Sequence, residues 1–149
     1  MPRTATVRFY FDEDVLGIAK VIANLRNDVT YPGDPGGEVK RHQRPACPIV
    51  PGSKDPDWIP RVARAGWVIV TRDSAIQRHR ALIGAVRQAG ARMVALSGKE
   101  AKDNWTQLEL VMTRWREIEG LHGLPGPFIY TATRTGPFRL VSLGVDGAS

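Results

Sequence analysis

Strands alternating with amphipathic helices predict an α/β fold built on a mainly parallel sheet and finished by a C-terminal β-hairpin. Three observations carry this. FYF (9–11), WVIVT (67–71) and RMVAL (92–96) are short apolar runs, each followed by turn-forming or acidic residues. Stretches with helical apolar spacing lie between them. After residue 120 the helical period gives way to two β-type phrases, GPFIYTATR and GPFRLVSLG, around a Thr135-Gly136-Pro137 turn.

Taken in order, Val7 to Phe11 read as a buried strand, and Val15, Ile18, Ala19, Ile22 and Leu25 mark a helix. Asp14 is its expected N-cap, with Glu13 turned to solvent. Asp28 to Tyr31 make a second short strand. The Pro- and Gly-rich stretch that follows reads as a loop of about twenty residues, long enough to suggest a functional or mobile role. Lys54-Asp55-Pro56-Asp57 has the form of a helix start, with Asp55 as N-cap and Pro56 at the first helical position. That helix ends at Gly66, before WVIVT runs into Arg72-Asp73. A helix over 81–89 closes at Gly90 and leads to the 92–96 strand. A long amphipathic helix is expected over 101–118, with Trp105, Leu108, Val111, Met112 and Trp115 on one stripe and Gly120 as its end.

A chain of 149 residues supports one compact domain with a real core and is short for two. The expectation is a single domain over 1–149, with a core at about 6–97 and a helix-and-hairpin extension at about 99–144. No apolar run approaches the roughly 18 residues that span a bilayer, and the N-terminus lacks the pattern of a secretory signal. A cytoplasmic location is expected. Cys47 is the only cysteine, so an internal disulfide and a multi-cysteine zinc site are both excluded. Its surroundings, RPACPIV, offer no base to activate a thiolate.

The charge pattern is the functional clue. The net charge is +6, yet Asp12, Glu13 and Asp14 gather at the end of the first strand. In open parallel sheets ligands bind at the carboxyl ends of the strands. Asp12 follows one strand, Asp73 another, and Asp55 begins the helix that feeds the second. Their convergence would raise each carboxyl pKa unless a cation lay between them. Hard oxygen ligands suit Mg²⁺ or Mn²⁺. The excess of Lys and Arg favours a polyanion as partner. Lys54, Arg72, Arg78 and Arg80 stand near the acids and are candidates for contacts to the phosphates of such a partner. His42, His79 and His122 lack metal-ligand spacing and read as surface or polar-network residues. Trp58, Trp67, Trp105 and Trp115 read as packing residues rather than a stacking platform.

With these residues in view, FYFDED, KDPDWIPRVARAGWVIVTRDSAI and ARMVALS resemble PIN-like nucleases, the group that includes toxin ribonucleases of the VapC type and related short bacterial proteins. The resemblance covers about residues 6 to 97. It implies a PIN-like α/β/α sandwich and metal-dependent hydrolysis of RNA phosphodiesters. Carried over, Asp12, Asp55 and Asp73 would be catalytic metal ligands for Mg²⁺ or Mn²⁺, with Asp14 a fourth and Asp57 a weaker candidate. It also implies an antitoxin protein as partner and allows a homodimer. Two alternatives stay open. Asp12-Glu13-Asp14 with VALSGK (94–99) also resembles haloacid-dehalogenase-like phosphatases, where Asp12 would be the nucleophile and Asp14 the acid and base. The other is a catalytically inactive PIN-like module whose acids bind an arginine-rich partner. Ser97-Gly98-Lys99 is too short for a phosphate loop.

Overall fold

A computed structural model describes residues 2–98 and 101–144. Period-two alternation inside the apolar runs decides the layering. Phe9, Phe11, Val68, Val70, Val94 and Leu96 enter one core cluster, whereas Tyr10, Ile69, Met93 and Ala95 enter a second. Strands buried on both faces need cover on both, and helices supply it.

The strands are β1 (Arg3–Thr4), β2 (Phe9–Phe11), β3 (Val29–Thr30), β4 (Gly37–Val39), β5 (His42–Arg44), β6 (Val68–Arg72), β7 (Arg92–Leu96), β8 (Phe128–Ala132) and β9 (Arg139–Leu140). The helices are α1 (Leu16–Ala23), α2 (Asp55–Ala65), α3 (Arg80–Ala89), α4 (Asn104–Thr113) and α5 (Trp115–Leu121). Ile18, Ile22, Leu110, Val111 and Ile118 bring α1, α4 and α5 to the first face of the sheet. Ile59, Val62, Leu82, Ile83 and Val86 bring α2 and α3 to the second. The result is the expected α/β/α sandwich.

The main sheet has the order β3-β2-β6-β7-β8-β9 and is parallel except for β9. From β2 the chain moves to β3 on one side and later returns to β6 on the other. This reversal opens a crevice at the carboxyl ends of β2 and β6. The register Phe11↔Val70 then places Asp12 beside Thr71.

Three expectations need correction. The stretch after β3 is no structureless loop: it folds into the β4–β5 hairpin, which pairs with β1 to form a separate three-stranded sheet. The helix expected over 101–118 is two helices meeting at Arg114 (φ −105°, ψ 16°), and α5 continues through Gly120. The Arg114 side chain is drawn inward: Nη1 donates to the Thr133 carbonyl at 2.7 Å and the guanidinium stacks on Phe138 at 4.7 Å. The single apolar stripe fails with it, since Trp105 is 78% and Met112 67% exposed. The terminal hairpin does form, Tyr130 opposite Leu140, but its first strand is also the next parallel strand beside β7. No helix among the described residues is long and apolar enough to cross a membrane.

Candidate active site

Asp12 stands where β2 ends, its N–H bonded to the Val70 carbonyl of β6 at 2.9 Å. It caps the 3-10 turn Glu13–Val15, with Oδ1 accepting from the Glu13 N–H at 2.7 Å. This corrects the expected roles: Asp12, not Asp14, is the cap. Glu13 is exposed, and its carboxylate also accepts the Gly52 N–H, fastening the loop before α2 to the turn. Asp14 is thereby freed to reach across to β6, where Oδ2 accepts from the Thr71 hydroxyl at 2.8 Å and from the Arg72 N–H at 3.3 Å.

Thr71, only 3% exposed, is the centre of the arrangement. Its Oγ1 lies 3.4 Å from Asp12 Oδ2 as well as against Asp14. One hydroxyl proton therefore serves two carboxylates, which leaves both short of donors. Nothing in the sequence singled Thr71 out, because a threonine inside an apolar run reads as a β-branched strand residue. The informative signal is the register between strands, which places position 71 opposite the acidic turn.

The electrostatics follow from this geometry. Burial pushes the Asp12 carboxyl up to about 7 from an ordinary 3.8, and the Asp14 charge adds to the rise, while the Glu13 N–H opposes it. Burial also raises Asp14, partly offset by the bonds from Thr71 and Arg72. Although Asp14 as a residue is exposed, its carboxylate lies against the buried Thr71 hydroxyl. Among the described residues neither acid is in a salt bridge.

The outer acids are placed differently. Asp55 is the first residue of α2, not its cap; Lys54 holds that position without a side-chain bond. Asp55 Oδ1 accepts from Trp58 Nε1 at 3.1 Å, and its charge reaches Asp12. Asp73 Oδ1 accepts from the Ala75 N–H at 2.9 Å and Oδ2 meets His79 Nδ1 at 3.1 Å, while its charge reaches Asp14. His79 thus belongs to the polar network around the site. The four aspartates form a central pair, Asp12 and Asp14, with Asp55 beside the first and Asp73 beside the second. They do not form a closed ligand set: among the described residues no three His, Cys, Asp or Glu side chains are grouped so as to hold a metal ion. The physical reason is that Asp55 and Asp73 are turned toward donors of their own. The central pair still fits a hard dication chemically, because Mg²⁺ commonly takes one or two protein carboxylates and keeps water elsewhere.

The basic candidates frame the same edge. Lys54 precedes α2, Arg72 ends β6, Arg78 closes the turn Ile76–Arg78, and Arg80 begins α3. Lys54, Arg78 and Arg80 are exposed. Asp57 lies in the first turn of α2 and is exposed. Lys99, the last residue of the phosphatase-like phrase, lies outside the described residues.

A family model described as PIN like domain matches residues 7–98, more than half the chain and every acid of the site. The chain belongs to the PIN-like family. No curated protein and no solved structure matches it. PIN domains are commonly nucleases, so the PIN-like chain has a nuclease-type function in general terms.

Proposed function

We propose that this PIN-like protein is a metal-dependent endoribonuclease, a hydrolase of RNA phosphodiester bonds, working at the carboxyl edge of β2 and β6. The observation that carries the reading is the Asp12–Asp14 pair sharing one Thr71 hydroxyl with, among the described residues, no salt-bridging cation. Two half-satisfied carboxylates with raised pKa values form a site that takes up positive charge.

Asp12 and Asp14 would hold Mg²⁺ or Mn²⁺ directly, with Asp55 and Asp73 completing the negative surround. When bound, such an ion offsets charge on the phosphate and lowers the pKa of water toward neutrality. The chain's own residues do the rest. Thr71 and the Arg72 amide hold the Asp14 carboxylate in place; Trp58 fixes Asp55; Ala75 and His79 fix Asp73. Lys54, Arg72, Arg78 and Arg80 would bind phosphates on either side of the scissile bond.

The resemblance to toxin ribonucleases supports a role as the toxin of a toxin–antitoxin pair, in the cytoplasm, with an antitoxin protein as inhibitor and a homodimer as a permitted assembly. The test is cleavage of single-stranded RNA with Mg²⁺ or Mn²⁺ by the wild type and by Asp12→Ala and Asp73→Ala. Metal-dependent cleavage lost in Asp12→Ala supports the reading. A protein that binds but never cuts RNA would instead be a binding module.

A further inference from the structure

The tip of the β4–β5 hairpin breaks a rule of turn chemistry. The two residues joining Val39 to His42 are Lys40 (φ 50°) and Arg41 (φ 66°), the only non-glycine residues with positive φ among those described. Two central residues with positive φ define a type I′ turn, a position that favours Asn-Gly. Left-handed backbone at a residue with a Cβ is unfavourable and persists only where the surroundings enforce it. Here they do. His42 Nδ1–H donates to the Lys40 carbonyl at 3.0 Å, and the Arg3 N–H of β1 donates to the Arg41 carbonyl at 3.3 Å. The Ala5 N–H adds a bond to the Gln43 carbonyl at 2.8 Å.

The braced turn carries cations into one place. Pro2, Arg3, Glu38, Lys40, Arg41 and His42 line a shallow, open cleft of about 540 Å³. Arg3, Lys40 and Arg41 are exposed, and among the described residues none is in a salt bridge. Arg44, one residue beyond β5's exposed Gln43, is by contrast buried and paired with Asp34. A turn whose backbone is already braced has no backbone ordering left to lose when its side chains meet a ligand.

We propose that the β4–β5 tip, with Arg3, is a second contact surface for the RNA backbone, separate from the acidic edge. This rests on the reading of RNA as the polymer the protein acts on. The chemistry favours RNA over a lipid surface. The cleft lining offers no large apolar side chain to enter a bilayer, as interfacial segments do. Glu38 supplies an acceptor that a phosphate surface does not use but a ribose 2′-hydroxyl or a base amino group does.

The turn also supplies a variant that removes the charges without harming the fold. Lys40→Asn with Arg41→Gly restores the favoured I′ pair, so the unfolding midpoint should hold or rise. Binding of a fluorescent single-stranded RNA is followed by anisotropy in EDTA, across a salt series, for the wild type, this variant and a control lacking two exposed charges elsewhere (Lys20→Gln with Arg64→Gln). The tip variant should bind about tenfold more weakly, with a salt slope smaller by about 1.4, the value for two lost contacts on a single strand. The control should change little. Unchanged RNA binding in the tip variant, an equal loss in the control, or wild-type binding to phosphatidylserine vesicles but not to RNA would overturn the proposal. Cleavage with Mg²⁺ is read separately. RNA bound through the tip but never cut would sink the nuclease reading alone, and cutting with an unchanged tip variant would sink this one alone.

Discussion

Asp34 and Asp12 follow neighbouring strands of one sheet, yet their surroundings differ in kind. Asp34, 2% exposed, accepts four bonds: Arg44 Nε at 2.8 Å, Arg44 Nη2 at 3.0 Å, Thr30 Oγ1 at 2.9 Å and the Gly36 N–H at 2.8 Å. Its counter-charge is built into the fold, and Arg44 uses its remaining reach to bond the Ala23 carbonyl. Asp12 has one backbone N–H and a share in a hydroxyl. Buried carboxylates are normally paired. Beside Asp34 the fold places an arginine; beside Asp12 and Asp14, among the described residues, it places no salt-bridging cation. The difference separates a structural acid from one available for chemistry.

The sharpest way to break the comparison is to exchange the two behaviours by mutation. Asp12→Asn should reduce RNA cleavage about a thousandfold or more, equivalent to about 4 kcal/mol of lost transition-state stabilisation, while circular dichroism shows the fold intact. Asp34→Ala should do the reverse. It leaves Arg44 buried with no counter-charge, so urea denaturation should show a loss of about 3–5 kcal/mol, and adding Arg44→Met should recover much of it. Thr71→Val sharpens the contrast more gently: it keeps the volume of the strand and removes the shared donor, so Mn²⁺ affinity by calorimetry should fall about tenfold.

Only the Asp12 side of this contrast is legible in the sequence, and the reasons are specific. Asp12 and Asp73 declared themselves because apolar runs ended at them. Asp14 was misread because capping grammar is local, and two acids in succession at a helix start cannot be told apart without knowing what lies across the sheet. Asp55 missed its role by one position for the same reason. Thr71 and the Asp34–Arg44 pair depend on strand register and on contacts between residues ten positions apart, neither of which a period shows. The break at Arg114 was hidden because a buried arginine stacked on Phe138 looks in sequence like any helical cation. The hairpin was hidden because Lys40-Arg41 lacks the glycine and asparagine by which such turns are usually read.

The central claim is that the Asp12–Asp14 pair carries an unmet demand for positive charge, and its pH signature is defined. The Asp12 carboxyl is raised in the folded protein from 3.8 to about 7. The fold therefore favours its protonated form, and the associated stability is present in full below about pH 4 and is lost as pH rises through about 7. The direct measurement is the thermal unfolding midpoint at about pH 8, with EDTA and with millimolar Mn²⁺, for the wild type and Asp12→Asn. The account predicts that Mn²⁺ raises the wild-type midpoint at pH 8 and leaves the variant unmoved, and that in an EDTA series from about pH 4 to 8 the variant declines less than the wild type, Asp14 alone remaining raised. A wild type indifferent to Mn²⁺, or a variant stabilised by it equally, would contradict the claim.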